Sequence, residues 1–279
     1  MIDSHVHFID PRRVHYPWLA DPVLAPINRP FLPDDLAPVL KANGVRAAIL
    51  VQARGSLEES GECLAHAQAH PWLAGVVAWA DLTTVDFARQ LGALRAAPGG
   101  NRLVGIRHQV QDEPDDHWLL RQEVQRGLAV LADHGLTFDL LVRPQHLGAA
   151  IQTVRRFPSL TFVLNHIAKP PIASGQTTGW AEQISKLADC PNVFCKVSGM
   201  VTEADWQQWQ TANFVPFVGH ILGSFGGERL LYGSDWPVCL LAAEYGQVKA
   251  LFEELVGISS QTAEHNARTA YRLTLEETP

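Results

Sequence analysis

Apolar and polar positions follow a long-range rhythm along this chain: an apolar run of strand length, an amphipathic stretch, then another run. Such runs occupy 45–51, 73–79, 103–107, 136–142, 160–165, 193–197 and 229–232. They carry too few polar positions for half-solvated strands and suit parallel strands buried on both faces. Between them the periodicity predicts helices over 57–70, 85–96, 118–134, 145–157, 180–187, 205–222 and 244–256. With 1–7 counted as the opening strand, there are eight strands, most of them followed by a helical stretch. The expectation is an α/β fold, a distorted (β/α)8 TIM barrel forming a single domain over 1–279. A doubly wound open sheet is the alternative, but it would carry a glycine-rich phosphate turn after an early strand, and none is present.

The stretch 10–35 breaks the rhythm. Pro11, Pro17, Pro22, Pro26, Pro30 and Pro33 fix φ and remove donors there, which predicts a long loop near the barrel mouth. Trp18 within it offers an aromatic platform over a site.

Composition narrows the class. With 47% hydrophobic and 18% charged residues the chain is globular, and a net charge of -7 without a Lys/Arg stripe argues against nucleic acid as a partner. No apolar run reaches the ~18 residues of a membrane helix, and Asp3 and Asp10 interrupt the N-terminus too early for a secretory signal. A cytoplasmic protein with no membrane partner is expected. Cys63, Cys190, Cys195 and Cys239 form no C-x-x-C pair and read as buried free thiols.

Chemistry collects where the apolar runs end. Strand one ends in His5 and His7, which a strand presents on one face. Alone, such a pair is better explained by an ordinary surface strand with two incidental histidines. Strand two, however, ends in Gln52 and Arg54, strand four in Arg107 and His108, strand six in Asn165 and His166, strand seven carries Lys196, and strand eight runs into Asp235 and Trp236. In a TIM barrel these ends form the active-site face. Closure places strand eight beside strand one, so Asp235 becomes a neighbour of His5 and His7, with His166 across the mouth. Such N and O ligands can hold an ion or a water, and Asp235 is the expected general base.

These residues resemble the amidohydrolase superfamily, and within it the metal-dependent TIM-barrel hydrolases that include sugar lactonases of the L-fuconolactonase and L-rhamnonolactonase kind. The motifs run nearly end to end: Ile2-Asp3-Ser4-His5-x-His7-Phe8, Tyr16-Pro17-Trp18-Leu19, Val51-Gln52-Ala53-Arg54, Arg107-His108-Gln109-x-Gln111-Asp112-Glu113, His166-x-x-Lys169-Pro170, Cys195-Lys196-Val197-Ser198-Gly199 running on to Val201-Thr202-Glu203-Ala204-Asp205-Trp206, and Gly233-Ser234-Asp235-Trp236-Pro237-Val238. The resemblance implies hydrolysis of a sugar-acid lactone, such as a deoxy-sugar lactone of L-fucose degradation. It implies Asp235, His166 and Lys196 as catalytic residues, and His5, His7, His166 and Asp235 as ligands of one divalent metal at most. Zinc is the expected ion, and some lactonases of this kind dispense with it. Trp18, Gln52, Arg107, His108, Lys169 and Trp236 are the candidate substrate contacts.

Two positions depart from the pattern: Val6 stands where Gln is common, and Asn165 where Asp commonly precedes the strand-six histidine. Strand four ends in Arg107-His108 and lacks the lysine that bridges two metals in other members of the superfamily. Only one of Arg107 and His108 can face the lumen on a regular strand, and Arg107 is the expected one. Lys169 reads equally as a solvated loop lysine, and Trp18 and Trp236 as packing. A decarboxylase, or another hydrolase such as a dicarboxylate lactonase, is the enzymatic alternative; a non-catalytic sugar-binding barrel is the other. A homodimer is left open.

Overall fold

The computed structural model describes residues 1–274, so the last five positions of the expected 1–279 domain lie outside it. Eight strands, β1 (Ile2–Val6), β2 (Ala47–Val51), β3 (Leu73–Ala78), β4 (Leu103–His108), β5 (Thr137–Leu140), β6 (Phe162–Leu164), β7 (Val193–Val197) and β8 (Leu230–Tyr232), form one sheet in chain order. Each runs parallel to the next. The crossover helices α2 (Leu57–Ala69), α3 (Phe87–Ala96), α4 (Gln122–Asp133), α5 (Leu147–Arg156), α6 (Trp180–Ala188), α7 (Thr211–Phe225) and α8 (Tyr245–Val256) alternate with them. Most apolar side chains belong to the larger core cluster, which takes in residues of both strands and helices; a smaller cluster of Ile2, Ile49, Val51, Val77, Val163 and Leu231 is joined by Tyr271. The architecture is the expected (β/α)8 barrel.

The distortion is at the seam. Regular strand pairing runs from β1 to β8, and the seam between β8 and β1 is closed by a single parallel bridge, Val6 with Trp236, and by individual bonds: His7 N to Trp236 O at 2.7 Å, Asp235 N to His5 O at 2.9 Å and the Ser4 hydroxyl to Tyr232 O at 2.5 Å. Asp3 clamps the same seam from within the chain. Its buried carboxylate accepts from His5 N at 3.0 Å, Ser234 N at 2.9 Å and the Tyr245 hydroxyl at 2.9 Å. The pairing register of β1 also shifts between Asp3 and Val6. This irregularity lets Ile2 and His5, an odd number of residues apart, both turn inward.

Three elements differ from expectation. The 10–35 stretch holds two 3-10 turns, Pro17–Ala20 and Pro22–Ile27, and an antiparallel bridge between Ile9 and Phe31 ties its ends. Helix α1 (Pro33–Ala42) begins inside its last residues, with Pro33 at the first helical position, where the missing N–H costs nothing. Helix α9 (Ser260–Tyr271) has no strong apolar stripe because its buried side is largely alanine: Ala263, Ala267 and Ala270. Among the described residues all four cysteines are free and buried, and no helix is long and apolar enough to cross a membrane.

Candidate active site

At the C-terminal ends of the strands a cavity of about 360 Å³ opens, within the range of small-molecule sites. Its lining includes His7, Arg107, His166 and Asp235. A larger space of about 610 Å³ lies at the other end of the barrel, but its described lining has no histidine or carboxylate and it borders Thr274, the last described residue. The chemistry is at the strand ends.

Four side chains converge there. Asp235 Oδ1 lies 3.7 Å from His5 Nε2, 3.4 Å from His7 Nε2 and 3.9 Å from His166 Nε2. His5 and His7 Nε2 are 3.2 Å apart. Two of the four sit on costly backbone. Asp235 has φ +60°, and His166, Ile167, Ala168 and Lys169 follow one another in the left-handed region, at about 1–2 kcal/mol per residue for non-glycine residues. Bonds hold the turn: Lys169 N to His166 O at 2.7 Å and Trp180 Nε1 to Ile167 O at 2.8 Å. Strain of this kind concentrates at functional sites, and here it delivers His166 and Lys169 to the same cavity.

Electrostatics set the protonation states. Burial pushes His5 well below the usual imidazole range, aided by the charge of Lys196. Burial likewise lowers His166 to about 3, and lowers His7 in spite of the neighbouring Asp235. Burial opposes ionisation of Asp235, but the neighbouring His166, His7 and Lys169 outweigh it and hold the carboxyl at about 2. At neutral pH the cluster therefore presents neutral imidazoles around an ionised carboxylate, the forms that metal ligation and base catalysis both need.

The family model for amidohydrolases matches residues 2–273. The chain belongs to the amidohydrolase family. Among characterised members, the L-fucono-1,5-lactonase of Burkholderia ambifaria is 38% identical over 249 residues, spanning 89% of this chain and 84% of that protein. The L-fucono-1,5-lactonase of Burkholderia multivorans is 36% identical over 276 residues, 95% of this chain and 92% of that one. A crystal structure of an amidohydrolase from Burkholderia multivorans with bound zinc superposes with a TM-score of 0.91 at 34% identity, covering 98% of this chain and 99% of that chain.

Within this amidohydrolase the donor set suits a divalent ion. His5, His166 and Asp235 each offer a ligand atom within 4.8 Å of the other two. The outer nitrogens of two histidines have the partners that orient ligands: His7 Nδ1 lies 2.7 Å from the Val51 carbonyl, and His166 Nδ1 2.9 Å from the Ser198 hydroxyl. Imidazole and carboxylate together favour zinc-like ions.

The expected substrate contacts divide. Trp18, Arg107 and Lys169 line the cavity; Trp18 Nε1 donates to Ala53 O at 2.9 Å, and Lys169 pairs with Glu203 at 3.4 Å. Gln52, His108 and Trp236 do not line it, and neither does Lys196, expected as a catalytic residue, which corrects the reading from strand ends. Gln52 is fully buried, its side-chain amide donating to Arg107 O and its main-chain carbonyl accepting from the Arg107 guanidinium. His108 points away from the lumen, stacked on Trp118 at 4.1 Å and bonded to Glu113 at 2.7 Å, because regular alternation on β4 turns Arg107 inward. Trp236 is buried against Phe8 and Phe31 as packing. Lys196 is sealed in the barrel, its ammonium 2.6 Å from Asp139.

Other cavity residues carried no assigned role in the sequence: Gln111, Asp112, Glu203 and Trp206, which lie within the lactonase-like motifs, and Arg143 and Leu24, which lie outside them. Gln111 carries a signal that only the fold reveals, a buried amide oxygen with no partner among the described residues. Arg143 follows β5, and its position just past a strand end could have marked it.

Proposed function

We propose that this amidohydrolase opens the lactone ring of a sugar acid, an aldonolactone of the L-fucono-1,5-lactone kind. The observation that carries the reading is the ionised Asp235 at the cavity, ringed by three neutral histidines, in a chain closely related to two L-fucono-1,5-lactonases. Asp235 Oδ1 takes a proton from water as the water attacks the ring carbonyl, and returns it to the ring oxygen as the C–O bond breaks. The product is the open hydroxy acid. The histidines supply the electrophilic side, polarising the carbonyl oxygen, and Arg107 and Lys169 place positive charge where the oxyanion and then the carboxylate develop.

Zinc is the ion we propose for the site, with His5, His7, His166 and Asp235 as its holders; when bound it supplies Lewis-acid polarisation and a more acidic water. The cavity wall also suits a deoxy sugar. Leu24, from the 22–27 turn, and Val238 and Leu241, from the adjoining 238–241 turn, put apolar surface beside Gln111, Asp112 and Glu203. The reduced, buried cysteines support a cytoplasmic setting.

The test is acid release from a panel of aldonolactones at pH ~7, where an unperturbed His is largely neutral. Acceleration is expected for 6-deoxy lactones. No acceleration over buffer with any aldonolactone would overturn the reading, and release of CO₂ from an aromatic acid would point to a decarboxylase instead.

A further inference from the structure

Inside the barrel, beneath the cluster, lies a second group of charges outside the cavity lining. Asp139 on β5 accepts from Lys196 Nζ at 2.6 Å, Asn165 Nδ2 at 2.8 Å and the Tyr271 hydroxyl at 2.9 and 3.0 Å. All four side chains are buried. Two arms lead from this carboxylate to His5. Lys196 Nζ lies 3.3 Å from His5 Nδ1. Arg107 Nη1, bonded to Asn165 Oδ1 at 3.2 Å, lies 3.1 Å from His5 Nε2. An ammonium and a guanidinium only donate, whereas a neutral imidazole accepts at one nitrogen and donates at the other. His5 can satisfy just one of the two.

Acceptors decide which. The Val51 carbonyl can only accept, so His7 carries its proton on Nδ1 and presents a bare Nε2. A proton on His5 Nε2 then finds that acceptor at 3.2 Å, with Asp235 Oδ1 at 3.7 Å behind it. A proton on His5 Nδ1 would meet only Lys196 among the described residues. Arg107 retains Asn165 Oδ1 and the Gln52 carbonyl as acceptors.

We propose that Lys196, held by Asp139, is a positioning residue that fixes His5 as the Nε2–H tautomer, a hydrogen-bond donor into the catalytic cluster. The same contact opposes metal binding at His5. His7 and His166 have a carbonyl and a hydroxyl at their outer nitrogens; His5 has a cation. An ion on His5 Nε2 drives the ring proton onto Nδ1, against the ammonium. The inference concerns ring protons and metal affinity, so its test is separate from that of the lactone reading.

Long-range ¹H–¹⁵N correlation spectra of the chelator-treated wild-type protein, with His5 assigned against His5→Asn, read the tautomer directly. The expected pattern is a protonated Nε2 and a bare Nδ1. Competition with a chromogenic chelator measures zinc affinity, and Lys196→Met should bind zinc about tenfold or more tighter than wild type, the scale on which outer-shell partners act. A His5 proton on Nδ1 in the wild type, or an unchanged or weakened zinc affinity in folded Lys196→Met, overturns the proposal. Should Lys196→Met not fold, the wild-type spectrum alone decides.

Discussion

Asp235 and Asp139 are both aspartates in the barrel, both buried, and both among cationic or imidazole groups, yet they belong to different kinds of region. Asp235 lines the cavity on a left-handed residue, with three histidines at 3.4 to 3.9 Å and no close partner that saturates its oxygens. Asp139 is sealed below, and its oxygens are taken up by a lysine, an amide and a tyrosine hydroxyl at 2.6 to 3.0 Å. A carboxylate whose lone pairs are committed stabilises neighbours; one with spare capacity facing solvent-accessible space can exchange a proton. The mouth is reactive because it is incompletely satisfied, and the floor is structural because it is complete.

The same substitution should therefore fail in different ways at the two sites. Asp235→Asn should lower turnover by about 10²–10⁴-fold, with the smaller change in KM, as steady-state kinetics on the lactone would read. Asp139→Asn should act first on stability. Leaving the Lys196 ammonium buried without its anion should cost about 3–5 kcal/mol in denaturant unfolding, more than Asp235→Asn costs. If the two variants exchanged these signatures, the division between mouth and floor would be wrong.

Gly199 tests how tightly the two regions are joined. It has φ +59°, and a Cβ there would sit 2.5 Å from His166 Nδ1. Gly199→Ala should lose about 2–4 kcal/mol through backbone strain and overpacking, and turnover should fall as His166 is displaced. Retention of full activity with a normal unfolding midpoint would show that His166 can yield.

The seam gives the smallest effect. Burial raises Asp3 from 3.8 to about 6 against the bonds from Ser234, His5 and Tyr245. The folded state then binds more protons than the unfolded state between those values, so this contribution is full at low pH and is lost as pH rises toward 6. The loss amounts to about 2–3 kcal/mol. Unfolding midpoints of wild type and Asp3→Asn across pH 4–6 should diverge by this slope, and parallel profiles would refute it.

Much was legible from local pattern. The apolar rhythm marks seven of the eight strands, because a strand buried on both faces must be apolar at nearly every position, whatever its neighbours; β1, with Asp3, Ser4 and His5, was legible by its His-x-His instead. The strand ends also locate His5, His7, His166 and Asp235, since closure of eight strands has few geometries. Asp139 and Lys196 carried a readable signal as lone charges inside apolar strands, but their pairing did not.

What only the tertiary structure decided is who touches whom. Lys196 reads in sequence as another polar residue at the mouth; the depth of β7 in the barrel makes it the partner of Asp139 instead. His108 and Trp236 are polar or amphipathic at strand ends, yet alternation on β4 and the packing of Phe8 and Phe31 take them away from the cavity. Tyr271 reaches Asp139 from a helix without a strong apolar stripe. Periodicity is a property of consecutive residues and survives in the sequence. Donor–acceptor matching between positions 57 or 132 residues apart exists only once the barrel has brought them together.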